Sequence, residues 1–150
     1  MLTRIDHVGI ACRDLEAKIA FYQSVFGLTV ASLEVNEDQG VREAMLLVGA
    51  GPAGGSYLQL LEPLGSDTPV GRFLERRGEG VHHIGYGVAN ITAALAAIGA
   101  TGVRLIDERP RHGSMGASIA FLHPADVGGV LTELVQAPDA GPQPGPGAGS

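Results

Sequence analysis

The chain carries a copy of itself. Shifted by 76 residues, it lays His7 on His83, Val8 on Ile84, Gly9 on Gly85, Asp14 on Asn90, Leu15 on Ile91, Ala17 on Ala93, Ile19 on Leu95 and Ala20 on Ala96 without a gap. A repeat of about half the 150 residues restricts the fold severely. Each copy must be one supersecondary unit, and two like units bury their apolar faces most simply by packing about a pseudo-twofold axis.

Within each copy a short strand runs to a helix N-cap candidate, Asp14 or Asn90, whose side-chain oxygen can accept from a free amide of the first turn. The helices then carry apolar residues at helical spacing, Leu15, Ile19, Tyr22 and Phe26 in one and Ile91, Leu95 and Ile98 in the other. Gly27-Leu28 and Gly102-Val103 follow, and then strand candidates. Residues 41–49 and 56–63 are joined by AGPAGG, and residues 117–124 and 129–136 are joined by ADVG. Over these segments a shift of 74 places Gln59 on Glu133 and Leu60 on Leu134, so the second copy is two residues shorter. The expectation is an α+β fold of tandem βαβββ modules, about residues 3–63 and 80–137, making a single domain over 1–137. The Pro/Gly-rich tail, 138–150, is expected to be flexible.

Composition narrows the function. With 45% hydrophobic and 17% charged residues the chain has material for a real core. A net charge of −6 argues against nucleic acid. No apolar run is long enough to span a bilayer and MLTRIDH lacks signal-peptide layout, so no membrane partner and a cytoplasmic location are expected. The one cysteine, Cys12, cannot form an intramolecular disulfide and reads as a small core or near-surface residue. Two basic clusters, Arg72 with Arg76 and Arg77, and Arg109 with Arg111 and His112, are either solvated charge or phosphate contacts.

The second copy opens on adjacent histidines, His82 and His83. Successive strand residues face opposite ways, so one points inward, and the repeat selects His83 as the counterpart of His7. By the same alternation Ile5, His7 and Gly9 share a face opposite Asp6, Val8 and Ile10, and Gly9 and Gly85 would leave room beside the histidines for a ligand. Taken singly, a strand histidine is more often a satisfied core residue than a ligand. Glu133 says more, because a carboxylate in the apolar run VLTELV needs a partner. Two histidines, Gln59 and Glu133 at repeat-matched positions suit a divalent first-row ion, with two positions of an octahedral ion left over.

The motifs IDHVGIA, HHIGYGV, LQLLEP and LTELVQ resemble those of the vicinal oxygen chelate superfamily of glyoxalases, extradiol dioxygenases and antibiotic-resistance proteins. Longer runs, NEDQGVREAMLLVG, LQLLEPLGSDTPVGRFLERRGEGVHHI and GVRLIDERPRHGSMGASIAFLHP, are similar to the methylmalonyl-CoA epimerase branch, and the resemblance spans residues 3–137. It implies a cupped mixed sheet around a metal site. His7, Gln59, His83 and Glu133 would be ligands of one divalent ion per chain, with Co(II) favoured and Mn, Ni, Zn or Fe as alternatives. It further implies an acyl-CoA substrate, a homodimer, and Glu43 as a carboxylate outside the metal's ligands.

The chemistry so implied is removal of the C2 proton of a methylmalonyl thioester and its return to the other face through an enolate. Glu43 and Glu133 are the candidate proton carriers, although ligation would weaken Glu133 as a base. A CoA lip is expected in RPRHGSMGAS, through Arg109 and Arg111. Ser114 and Ser118 have no neighbouring motif that would make either a nucleophile. A glyoxalase I-like isomerase and a metal-free small-molecule binding or resistance protein remain as alternatives, while an extradiol dioxygenase site of two histidines and one carboxylate would leave Gln59 without a purpose.

Overall fold

The structure, a computed structural model, describes residues 1–49 and 55–139. The AGPAGG loop through residue 54 and the tail from residue 140 lie outside the described residues. Among the described residues eight strands form one mixed sheet: β1 (Leu2–Ala11), β2 (Thr29–Asn36), β3 (Val41–Val48), β4 (Ser56–Pro63), β5 (Gly80–Val88), β6 (Arg111–His112), β7 (Ser118–Leu122) and β8 (Thr132–Gln136). Their order is β2-β3-β4-β1-β5-β8-β7-β6. Within each module the first strand pairs in parallel with the last, β1 with β4 and β5 with β8. The modules join where β1 and β5 run antiparallel. The tandem βαβββ expectation matches this order.

Three helices accompany the sheet: α1 (Leu15–Phe26), α2 (Pro69–Arg77) and α3 (Ile91–Ala100). Both expected N-caps form, with Asp14 Oδ1 accepting from the Ala17 amide and Asn90 Oδ1 from the Ala93 amide, each at 3.0 Å. The next free amides are also matched, since Leu15 donates to Glu62 at 2.7 Å and Ile91 to Gln136 at 2.9 Å. Under α1 lie Cys12, Leu15, Ala44, Leu46 and Leu60; under α3 lie Ile91, Leu95, Ala120, Leu122 and Leu134. Each such leucine contributes roughly 1.5–3 kcal/mol of apolar burial. Cys12 is a core residue, fully buried.

Three particulars depart from the sequence reading. Phe26, placed on the buried stripe of α1, is 61% exposed, because the stripe ends with Tyr22 one turn earlier. The segment between the modules forms α2, with Thr68 as N-cap, Pro69 in the first turn and Gly78 at a φ of 74° as C-cap. The third departure concerns alternation along β1. The β1–β5 register slips at three places, one at Asp6 on β1 and one at His82 on β5. A bulge sets two residues against one and resets which side chains turn inward. Ile5 is therefore 55% exposed and Asp6 is buried beside His7, the reverse of simple alternation. No helix among the described residues is long and apolar enough to cross a membrane.

Candidate active site

Four central strands deliver the sequence-predicted residues to one buried place. His7 comes from β1, Gln59 from β4, His83 from β5 and Glu133 from β8, and none is more than 5% exposed. The Nε2 atoms of His7 and His83 face each other at 3.0 Å. Glu133 reaches both, with one oxygen 3.2 Å from His83 Nε2 and the other 3.6 Å from His7 Nε2. One donor atom from each of these three residues lies within 4.8 Å of the others. Gln59 and Glu133 sit in register opposite Gly9 and Gly85, the glycines two residues beyond each histidine.

The glycines have another use than the one expected of them. A Cβ on Gly85 would stand 2.3 Å from the His7 ring, and a Cβ on Gly9 2.3 Å from the His83 ring. Each module's glycine thus makes space for the other module's imidazole, which crosses the β1–β5 seam. The space is filled by the ring rather than left for a ligand.

Charge and hydrogen bonding show what the cluster suits. Burial opposes protonation of His7, but hydrogen bonds to Asp6 and Glu133 prevail and raise it to about 9. Burial likewise opposes ionisation of Glu133, and the hydrogen bonds from His7 and His83 outweigh it, holding the carboxyl at about 2. An ionised, fully enclosed carboxylate with two imidazoles demands a cation, proton or metal. Gln59 donates through Nε2 to Glu43 at 2.8 Å and to Ser114 at 3.0 Å, while its Oε1 is buried and has no hydrogen-bond partner among the described residues. A buried acceptor left over at a residue in register with Gly9, which faces the His83 ring, is what a divalent ion would satisfy. The 3.0 Å between the Nε2 atoms is also the spacing of adjacent ligands on one ion with bonds of about 2.1 Å near a right angle.

Glu43, on β3, is 2% exposed. Burial raises its pKa above the ordinary carboxylate value and the charges of Glu34 and Glu133 add to this, against the hydrogen bonds from Ser114 and Gln59. A buried carboxylate so poised suits a proton carrier.

Residues 6–121 match the family model of the glyoxalase/bleomycin resistance protein/dioxygenase superfamily. The chain belongs to this superfamily.

Within the superfamily, a solved methylmalonyl-CoA epimerase in complex with methylmalonyl-CoA and NH4+ is 54% identical, with a TM-score of 0.89 over 93% of this chain and 97% of that one. A variant of the Streptomyces coelicolor methylmalonyl-CoA epimerase in complex with 2-nitronate-propionyl-CoA is also 54% identical, with a TM-score of 0.88 over 91% of this chain and 99% of that one. The ethylmalonyl-CoA/methylmalonyl-CoA epimerase of Cereibacter sphaeroides is 36% identical over 91% of this chain and 99% of its own length. The curled eight-stranded sheet is the vicinal oxygen chelate fold of this superfamily.

Two site residues are not apparent from sequence alone. Ser114 donates its hydroxyl to Glu43 and accepts from Gln59, linking the carrier to the ligand cluster. It sits in a tight turn with Met115 at a φ of 56° and Gly116 at 74°, and the glycines bracketing SM in GSMG were the available signal. Asp6, assigned to the opposite face, instead accepts from His7 Nδ1 at 2.8 Å and from Arg4 at 2.6 Å. Of the expected CoA lip, Arg111 lines a groove beside His83 and is paired with Asp38 and Asp107. Arg109 lines a different groove, against Leu95 and Ala96 of α3.

Proposed function

We propose that this chain is a methylmalonyl-CoA epimerase that interconverts the (2R) and (2S) thioesters by moving the C2 proton through an enolate. The observation that carries the reading is the adjacency of a basic-shifted, buried Glu43 to a convergent His7, Gln59, His83 and Glu133 donor set, in a chain about half identical to epimerases solved with their substrate or an analogue. In this reading the four residues hold one divalent ion, Co(II) by resemblance. When bound, the ion supplies Lewis-acid stabilisation of the negative charge that grows on the substrate's carbonyl oxygens.

The protein's own groups do the rest. Glu43 accepts the C2 proton on one face, and its raised pKa makes it a stronger base than an exposed carboxylate. Ser114 and the Gln59 amide hold both Glu43 oxygens, so the carboxylate arrives aimed. On the opposite face Glu133 is the second carrier: when Glu43 starts as the carboxylate, Glu133 starts as the carboxylic acid and returns its proton to C2 of the enolate, and the two exchange states with direction. Hydrogen bonds from His7 and His83 favour the ionised form of Glu133, so Glu43 is the stronger base of the pair.

The acyl arm has a path from this centre. A cavity of about 280 Å³ beside His83, walled by Val41, Leu61, Val70, Phe121 and Leu131, suits the apolar and amide pantetheine. It shares Pro69, His82, Ile106 and Leu131 with an outer cavity of about 350 Å³. There Arg72, Arg76 and Arg77 offer charge for the phosphates. A homodimer is part of the proposal, supported by the exposed apolar residues Phe21, Val25 and Phe26 of α1. A cytoplasmic location is supported by the similarity to a bacterial epimerase.

The test is to incubate metal-loaded protein with a single epimer of methylmalonyl-CoA and, separately, with the methylglyoxal–glutathione hemithioacetal. Conversion of the thioester to both epimers is expected, with no turnover of the hemithioacetal. The reverse pattern would install a glyoxalase-like isomerase in its place.

A further inference from the structure

The two histidines are not held alike. His7 Nδ1 meets Asp6 Oδ1 at 2.8 Å, and His83 Nδ1 meets His82 Nδ1 at 2.9 Å. In each case the partner is the preceding residue, which ordinary strand alternation would send to the other side of the sheet. Asp6 and His82 are related by the 76-residue repeat, and each is the extra residue of a bulge in the β1–β5 register. The bulge is what lets two consecutive side chains lie on the same side.

We propose that Asp6 and His82 are a repeat-matched pair of positioning residues, each held by its bulge against the Nδ1 edge of the following histidine, so that both imidazoles present Nε2 to a divalent cation. This rests on the reading of His7 and His83 as ligands. A ring that offers Nε2 as a lone pair carries its proton on Nδ1, and that proton needs an acceptor. Asp6 supplies a carboxylate oxygen, itself braced by Arg4 at 2.6 Å. His82 supplies an unprotonated Nδ1, which places the His82 proton on Nε2. Its ring is set edge-on against Phe73, with centroids 5.0 Å apart. The two modules therefore orient equivalent ligands by different means: an anionic acceptor in the first and a neutral one in the second. Asp6 should also make His7 the stronger donor.

Removal of such partners typically costs 10–100-fold in metal affinity. The experiment measures Co(II) binding to the full chain by titration calorimetry and visible absorption for Asp6→Ala, His82→Ala and His82→Asn. An asparagine oxygen can stand where His82 Nδ1 stands, while losing the ring packed on Phe73. The expected result is one Co(II) per chain throughout, a 10–100-fold weaker Kd for Asp6→Ala and His82→Ala, and substantial recovery in His82→Asn. Long-range proton–nitrogen NMR of the zinc-loaded wild type should show His7 and His83 protonated at Nδ1 and His82 at Nε2. Unchanged Kd in both alanine variants, or a His82→Asn as weak as His82→Ala, would overturn the positioning role. Wild-type protein that takes up no cobalt would instead overturn the ligand reading on which it rests.

Discussion

A single methyl group should disable the proposed metal site. Gly85→Ala adds a Cβ that would stand 2.3 Å from Cε1, 2.6 Å from Nδ1 and 2.8 Å from Nε2 of His7. Ordinary van der Waals contact begins at 3.4 Å, so the ring must retreat by about 1 Å or the β1–β5 seam must open. Retreat carries Nε2 away from His83, now 3.0 Å distant, and from Glu133. A displacement of this size is worth on the order of 10²-fold in a geometry-dependent function, and overpacking adds about 1–3 kcal/mol of instability. Gly80→Ala is the control, because its Cβ would meet none of the described residues within 4 Å and the residue sits in the same strand. Cobalt titration with thermal denaturation on both variants separates the effects. Gly85→Ala should remain folded with a lowered melting temperature and bind cobalt about 100-fold more weakly, while Gly80→Ala should match wild type. A folded Gly85→Ala with wild-type cobalt affinity would show that the crossed imidazoles do not form the site.

Glu43→Gln should keep its metal and lose roughly 10²–10⁴-fold in C2 proton exchange, read by mass spectrometry of the thioester in heavy water. Because burial raises Glu43, which must be ionised to accept a proton, kcat/KM should fall with decreasing pH through an apparent pKa above the ordinary 4.5. Ser114→Ala, by removing a donor that stabilises the ionised form, should move that limb further up. His83→Ala should abolish metal binding and activity together, whereas His82→Ala should retain one metal per chain at reduced affinity, both read by elemental analysis and calorimetry. Replacing Arg72 and Arg76 by alanine should raise KM for methylmalonyl-CoA about tenfold or more while leaving KM for a pantetheine-truncated methylmalonyl thioester unchanged; an equal effect on both would remove these residues from the acyl-carrier path.

The repeat made much of this molecule readable in advance, because one unit folded twice must put equivalent residues in equivalent places. The N-caps at Asp14 and Asn90, the parallel closure of each module, the meeting of His7, His83 and Glu133, and the matched register of Gln59 with Gly9 and Glu133 with Gly85 follow from that symmetry. What escaped was whatever breaks local regularity or crosses between copies. Alternation misplaces Ile5 and Asp6, and sends His82 away from the His83 ring it meets, because nothing in IDH or VHH announces a bulge. In the sequence Gly9 and Gly85 read as space for a ligand because their neighbours come from the other module, and those contacts exist only once β1 and β5 pair. Ser114 has no repeat partner in the ligand set and reaches Glu43 from 71 residues away, so only the folded chain connects them.

In the proposed reaction a divalent ion and Glu43 together labilise the C2 proton of a methylmalonyl thioester. Deuterium incorporation at C2 of (2R)- and (2S)-methylmalonyl-CoA in heavy water, with metal-stripped protein before and after one equivalent of Co(II), tests it most directly. Negligible exchange is expected without the ion, and rapid exchange of both epimers with interconversion once cobalt is bound. Absence of exchange with cobalt verifiably in place would contradict it.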